Sequence, residues 1–135
     1  MTAIRFAGYA AIFDRIDRGG DIIRPGAFGN LPDGLCLPLL WQHRPDIKIG
    51  FVSYAREDQR GLRVVGQLSD NFLHARHVAT LLTTRSLTGL SFGYRVQKSS
   101  GQNPRELFSL DLAEISLVSV PMQPLATIHA IIKTP

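Results

Sequence analysis

Cysteine is nearly absent: Cys36 is the only one in 135 residues. That excludes an intrachain disulfide and a zinc site built from cysteines, and it fits a reducing compartment. Long apolar runs are absent too. A membrane helix needs ~20 residues, whereas the run from Leu35 to Trp41 is short and broken by Pro38. The stretch from Phe6 to Phe13 has only Arg5 before it and Asp14, Arg15 and Asp17 after it, so it reads as a strand and not as a secretion signal. No repeat, low-complexity segment or linker interrupts the chain. No G-x-S-x-G elbow is present, which leaves an α/β-hydrolase unsupported. Charge of one sign is scarce as well: the net charge is +4, which permits acidic partners without demanding them.

What is present is a globular composition, 44% hydrophobic and 19% charged, at a length that suits one domain spanning residues 1–135. Short runs of β-branched and aromatic residues, each closed by a polar or glycine-bearing turn, predict strands over 4–13, 37–42, 47–54, 61–68, 88–97, 105–120 and 126–132. Between them, Phe72, Ala75, Val78, Ala79 and Leu82 recur at helical spacing and predict one principal helix over 71–85, with Asp70 or Asn71 as its cap. The expected fold is mainly β (α+β). Short strands around a small core must manage their edges, which favours a closed or partly closed barrel over an open sheet.

Three residues do not fit a purely structural account. Glu114 falls on a strand face with Leu110, Leu112, Ser116 and Val118. A carboxylate in an apolar row requires a partner, either a structural arginine or a functional group. Ser91 stands between Gly89 and Gly93 on one face of its strand, which points either to close approach by something such as a substrate backbone, or to a β-bulge or tight packing against the helix. His43 ends an apolar run and enters a loop, a common position for site residues and for ordinary surface histidines alike. Together these are a nucleophile, a base and an acidic orienter, the set that activates a serine hydroxyl. His74 and His77 lie at i, i+3 on the helix, but nothing completes a metal set, and no metal or cofactor is expected.

Five segments in order carry a family resemblance: GYAAIFDRIDRGGDIIRPGAF at 8–28, LLWQH at 39–43, RGLRVVGQL at 60–68, LTGLSFGYRV at 87–96 and DLAEISLVSVPMQP at 111–124. The chain resembles the prohead (capsid maturation) serine proteases of tailed phages, prophages and gene transfer agents. The resemblance implies a small β-barrel bordered by helices, like that of the herpesvirus assemblin proteases. It implies a serine endopeptidase with His43 as general base, Ser91 as nucleophile and Glu114 as third member, and no cofactor. Herpesvirus relatives use a second histidine in the third role, which brings in His129 as the alternative to Glu114. The implied partners are the major capsid protein with its scaffolding segment, or a separate scaffold protein, and the enzyme itself through self-cleavage and self-association. The implied place of action is the immature capsid in the cytoplasm of the bacterial host. Arg44 departs from the acidic residue that relatives often carry after the histidine.

Two other readings compete. A nucleic-acid-binding barrel would use the twelve arginines and strand aromatics such as Phe92 and Tyr94. The basic residues are scattered among acidic ones, however, and form no one-sided stripe, so neither nucleic acid nor membrane is an expected partner. An inactive structural protein of the capsid interior is the other, and the intact His43, Ser91 and Glu114 argue against it.

Overall fold

The computed structural model describes residues 3–134. Its elements are β1 (Ala3–Ile12), β2 (Asp21–Ile23), β3 (Leu37–Trp41), β4 (Arg44–Glu57), β5 (Gly61–Leu68), α1 (Ala75–Thr83), β6 (Gly89–Ser100), β7 (Arg105–Val118) and β8 (Ile128–Thr134). All eight strands join one mixed sheet in the order β2-β7-β3-β4-β5-β1-β8, with β6 also paired to β7. β6 runs antiparallel along almost the whole of β7. β2 and β3 share the other edge of β7, and both pair with it in parallel.

The chain is therefore mostly β with one short helix, and two expectations need correcting. The barrel does not close. β8 is used by β1 along its length, and only the start of the β8 segment meets β6, through the bridge between Gly89 and Thr127. Closure would require β6 and β8 to pair along their lengths, whereas the described contact is that bridge with Leu90 N–H on Ala126 C=O and Ile128 N–H on Thr88 C=O beside it. The second correction concerns helices: the described residues hold a single α-helix, nine residues long, in place of a border of several. α1 also starts a turn later than predicted. Residues 70–74 are spent in tight turns, with Phe72 N–H on Ser69 C=O and Ala75 N–H on Phe72 C=O, so neither Asp70 nor Asn71 caps it. The cap residue is His74, which makes no side-chain capping bond.

Alternation on the strands places the core. Leu39, Ile49, Val52, Leu62, Val64, Leu90, Ile115 and Leu117 are fully enclosed in one core cluster, and α1 turns Ala75, Val78 and Leu82 inward. That spacing of i, i+3 and i+7 is one face of a helix. Truncating any of the enclosed leucines to alanine should cost roughly 2–5 kcal/mol, because the rigid surroundings cannot collapse onto the void.

Candidate active site

The site is assembled on the β6–β7 pair and one turn that leans against it. Ser91 lies directly opposite Ser116, and Gly93 directly opposite Glu114. Residues facing one another across antiparallel strands point to the same side of the sheet, as do residues two apart on one strand. Ser91, Glu114 and Ser116 therefore share a face.

Gly93 explains how a carboxylate fits there. A Cβ at that position would sit 2.9 Å from Glu114 Cδ and closer still to Oε1, well inside van der Waals contact. Gly89 is constrained in the same way, with Val118 O at 2.5 Å from a notional Cβ and Pro121 Cδ at 3.0 Å. The glycines flanking Ser91 thus answer to the protein's own Glu114 side chain, Val118 carbonyl and Pro121 ring. Of the readings open for them, tight packing is realised at both, against β7 and Pro121 and not against the helix, and the pairing also has a register irregularity between Gly93 and Tyr94.

His43 arrives from β3 and β4. Trp41 pairs with Arg44, so the connection is a two-residue turn of Gln42 and His43, with φ of 51° and 59°. Two-residue hairpin turns take positive φ at both central residues to match strand twist. Glycine or asparagine usually fills such places, and other side chains there cost of order 1–3 kcal/mol each. The turn is held against the end of β7 by several bonds. Gln42 N–H donates to Leu117 C=O at 2.9 Å, Gln42 Nε2 to Ser119 Oγ at 3.0 Å, Ser119 N–H to Gln42 Oε1 at 3.1 Å and His43 N–H to Ser116 Oγ at 3.2 Å. At about 0.5–1.5 kcal/mol net for each hydrogen bond, this set is of the right size to offset the strain.

The imidazole is then fixed from below. His43 Nδ1 donates to Glu114 Oε1 at 2.6 Å, and Ser116 Oγ–H donates to Glu114 Oε2 at 2.7 Å. The Glu114 side chain is largely enclosed, at 14% exposure, whereas the His43 side chain is 42% exposed. The partner that Glu114 requires is therefore His43 together with Ser116, and no arginine pairs with it among the described residues. With Nδ1 committed, Nε2 is the free nitrogen. His43 and Ser91 line one cavity of about 80 Å³, together with Asp17, Tyr94, Met122 and Gln123. Ser91 is 7% exposed.

The remaining candidates lie apart from this constellation. His129 is exposed on β8, its ring 6.0 Å from that of Tyr9. Arg44 turns to Asp46, with Nη2 to Oδ2 at 3.3 Å, and does not bond to His43. His74 and His77 are exposed at the start of α1. Phe92 is buried edge-on against Phe28, with centroids 5.2 Å apart, so it offers no exposed face for stacking a base. One member of the site had been read only as part of a strand face: Ser116, fully buried, couples the turn to the carboxylate. Its signal was a second polar residue two places from Glu114 in the same apolar row.

The sheet and the Gln42–His43 turn thus bring Ser91 and His43 to one cavity, with Glu114 behind it on His43 Nδ1, and comparison with known proteins identifies the family. The model described as "Caudovirus prohead serine protease" matches residues 1–134, and the chain belongs to that family. It is 32% identical over 96 residues to the prohead protease of Enterobacteria phage HK97, covering 69% of this chain and 43% of that protein. It is 31% identical over 125 residues to the capsid polyprotein of Pseudomonas phage PAJU2, covering 85% of this chain and 18% of that one. The chain thus spans less than half the length of these curated relatives. Among solved structures, varicella-zoster virus protease superposes with a TM-score of 0.60 at 22% identity, over 94% of this chain and 63% of that chain. The KSHV protease bound to a hexapeptide phosphonate inhibitor gives 0.58 at 15%, over 98% and 65%. At these identities the likeness is one of fold.

Proposed function

We propose that the chain is a serine endopeptidase of prohead maturation, working on a barrel-like variant of the assemblin fold. In this reading Ser91 is the nucleophile, His43 the general base and Glu114 the residue that orients the base. The observation that carries it is the 2.6 Å bond from His43 Nδ1 to Glu114 Oε1, on a histidine that shares a cavity with Ser91.

The chemistry follows from that bond. An ionised carboxylate only accepts hydrogen bonds, so it holds the proton on Nδ1 and leaves the lone pair on Nε2. Nε2 takes the Ser91 hydroxyl proton as Oγ attacks the scissile carbonyl carbon, and the imidazolium formed is stabilised by Glu114. The same proton passes to the leaving amine as the C–N bond breaks. Water then enters by the same base and releases the acyl group from Ser91. Ser116 is a positioning residue in this scheme, since it touches Glu114 and the His43 backbone.

The substrates proposed are the scaffolding segment of the capsid protein or a separate scaffold, and the protease itself, inside the immature shell within the host cell. The prohead-protease family and the capsid polyprotein relative support that assignment. Co-expression of the chain with its neighbouring capsid and scaffold genes, with wild type beside Ser91→Ala, tests it by intact-mass mapping of new termini. Loss of the nucleophile should lower kcat by about 10⁶-fold, so processing should vanish from a folded Ser91→Ala protein. Processing that continues unchanged would reassign the nucleophile.

A further inference from the structure

The cavity that holds Ser91 and His43 contains a carboxylate that the proposed chemistry does not use. Asp17 is 8% exposed. Its Oδ1 accepts from Gly19 N–H at 2.8 Å and from Asp21 N–H at 3.0 Å, which fixes the side chain on the turn before β2. Its Oδ2 has no hydrogen bond or ion pair among the described residues. No fully buried side-chain oxygen there lacks a partner, so Oδ2 is not sealed off from solvent, and Asp17 is one of the residues that line the Ser91 cavity.

The neighbouring acids are treated differently. Asp21 is held by Arg105 through two bonds of 2.9 and 2.8 Å. Arg24 spans Asp14 and Glu106. The nearest arginine in sequence, Arg18, gives its Nε to the Pro121 carbonyl at 3.0 Å. Asp17 is the acid without a guanidinium hydrogen bond among these, although Arg105, bonded to Asp21, is near enough to feel its charge. Its charge reaches across the cavity: burial first, then the charges of Asp21 and Asp17, push the Tyr94 hydroxyl pKa up. Tyr94 therefore stays protonated and adds no second negative charge. The remaining walls are the apolar Ala10, Leu90, Phe92 and Met122 and the amide of Gln123, which is committed to the Ile12 backbone at 2.6 and 2.8 Å.

We infer that Asp17 makes this cavity a subsite for a basic side chain, lysine or arginine, next to the scissile bond of the substrate. The aliphatic stem of such a residue covers the apolar wall while its charged head pairs with Oδ2. A neutral or acidic residue would leave a buried charge unpaired or opposed, and in a desolvated site that discriminates strongly. The inference rests on the peptidase reading for its substrate, while the charge of the cavity does not.

Two measurements separate these layers. In the first, the active chain cuts a proteome-derived peptide library prepared by cleavage at acidic residues, so that lysine and arginine remain internal, and new termini are sequenced by mass spectrometry. One position flanking the cut should favour Lys and Arg over Leu and Met by about tenfold or more, as expected for a close charge pair in a desolvated site. That preference should disappear in Asp17→Asn, whose amide oxygen can still accept the Gly19 and Asp21 N–H groups. In the second, n-butylamine and n-butanol are titrated into folded Ser91→Ala protein and followed by NMR. The ammonium should bind the cavity more tightly, and Asp17→Asn should abolish the difference. Cleavage without basic preference, or a preference undiminished in Asp17→Asn, overturns the inference and leaves the peptidase intact. A chain that cuts nothing but binds butylammonium through Asp17 sinks the peptidase reading and keeps the basic cavity. Equal binding of the amine and the alcohol overturns the inference.

Discussion

At one end of the β6–β7 hairpin, Gly89 to Phe92 and Ile115 to Val118 are buried; at the other, Arg95 to Ser100 are all exposed. The same two strands make both ends, yet their registers differ. From Gly89 opposite Val118 to Gly93 opposite Glu114 the pairing runs without interruption, and it then slips at Gly93/Tyr94, Val96/Lys98 and Lys98/Ser99. A one-residue slip turns every side chain to the opposite face, so register is enforced where one face is continuously buried; at the slipped end only Leu107 and Leu110 of β7 are buried, opposite exposed β6 residues. The candidate site occupies the enforced end. Ser91, Gly93, Glu114 and Ser116 must all stand on one face, and apolar burial of their neighbours keeps them there.

Substitutions at the two ends should therefore differ by orders of magnitude. After loss of the Ser91 nucleophile, the largest effect is expected from Glu114→Gln, which preserves shape but removes the charge beside His43. Its kcat on a peptide substrate should fall by about 10² to 10⁴ with an unchanged circular dichroism spectrum. His129→Ala, on β8, should leave kcat where it was. The opposite pattern would hand the third role to His129 and make Glu114 a structural partner.

Gly93→Ala comes next. The new methyl would occupy the space of the Glu114 carboxylate, which must move and release His43. Overpacking of this kind costs about 1–3 kcal/mol, visible as a lower midpoint in urea, and activity should drop more steeply than stability. An alanine variant with wild-type kcat would mean that Glu114 can reposition freely.

Ser116→Ala should have a smaller effect. It removes the donor to Glu114 Oε2 and the acceptor for His43 N–H. Leaving such groups unpaired costs about 1–3 kcal/mol of stability. Because the loss acts on orientation, kcat should decline roughly tenfold with KM little changed, since 1.4 kcal/mol corresponds to a factor of ten. A matched fall in stability with no change in kcat would confine Ser116 to holding the turn.

Val96→Thr, at the exposed end, should be nearly silent. Surface changes away from special features stay within about 0.5 kcal/mol, and neither urea midpoint nor kcat should move measurably. A large loss of activity there would show that the open end of the hairpin also takes part in catalysis.

The residue pattern by itself determined most strands and the identity of the three candidate site residues. Alternation and turn residues depend on local sterics and on burial of one face, and both are written in consecutive residues. Glu114 could be singled out because an unpaired carboxylate in an apolar row is too costly to leave alone. The interior of α1 was legible from Ala75, Val78 and Leu82, whereas its start was not: a potential cap at Asp70 or Asn71 loses to turns at Ser69 and Phe72 that follow from how the chain leaves β5.

Tertiary structure alone decided the rest. The sheet stays unclosed because β8 meets β6 only around Thr127 and Gly89, a contact between segments far apart in the chain. The left-handed turn at Gln42 and His43 is tolerated because Ser116, Leu117 and Ser119, more than 70 positions away, supply its bonds. Gly93 is required by a side chain on the neighbouring strand, and Asp17, on the turn before β2, shares a cavity with Ser91 from more than 70 positions away. These are long-range contacts. Their energies depend on which surfaces are brought together in space, and that proximity is absent from any local window of residues.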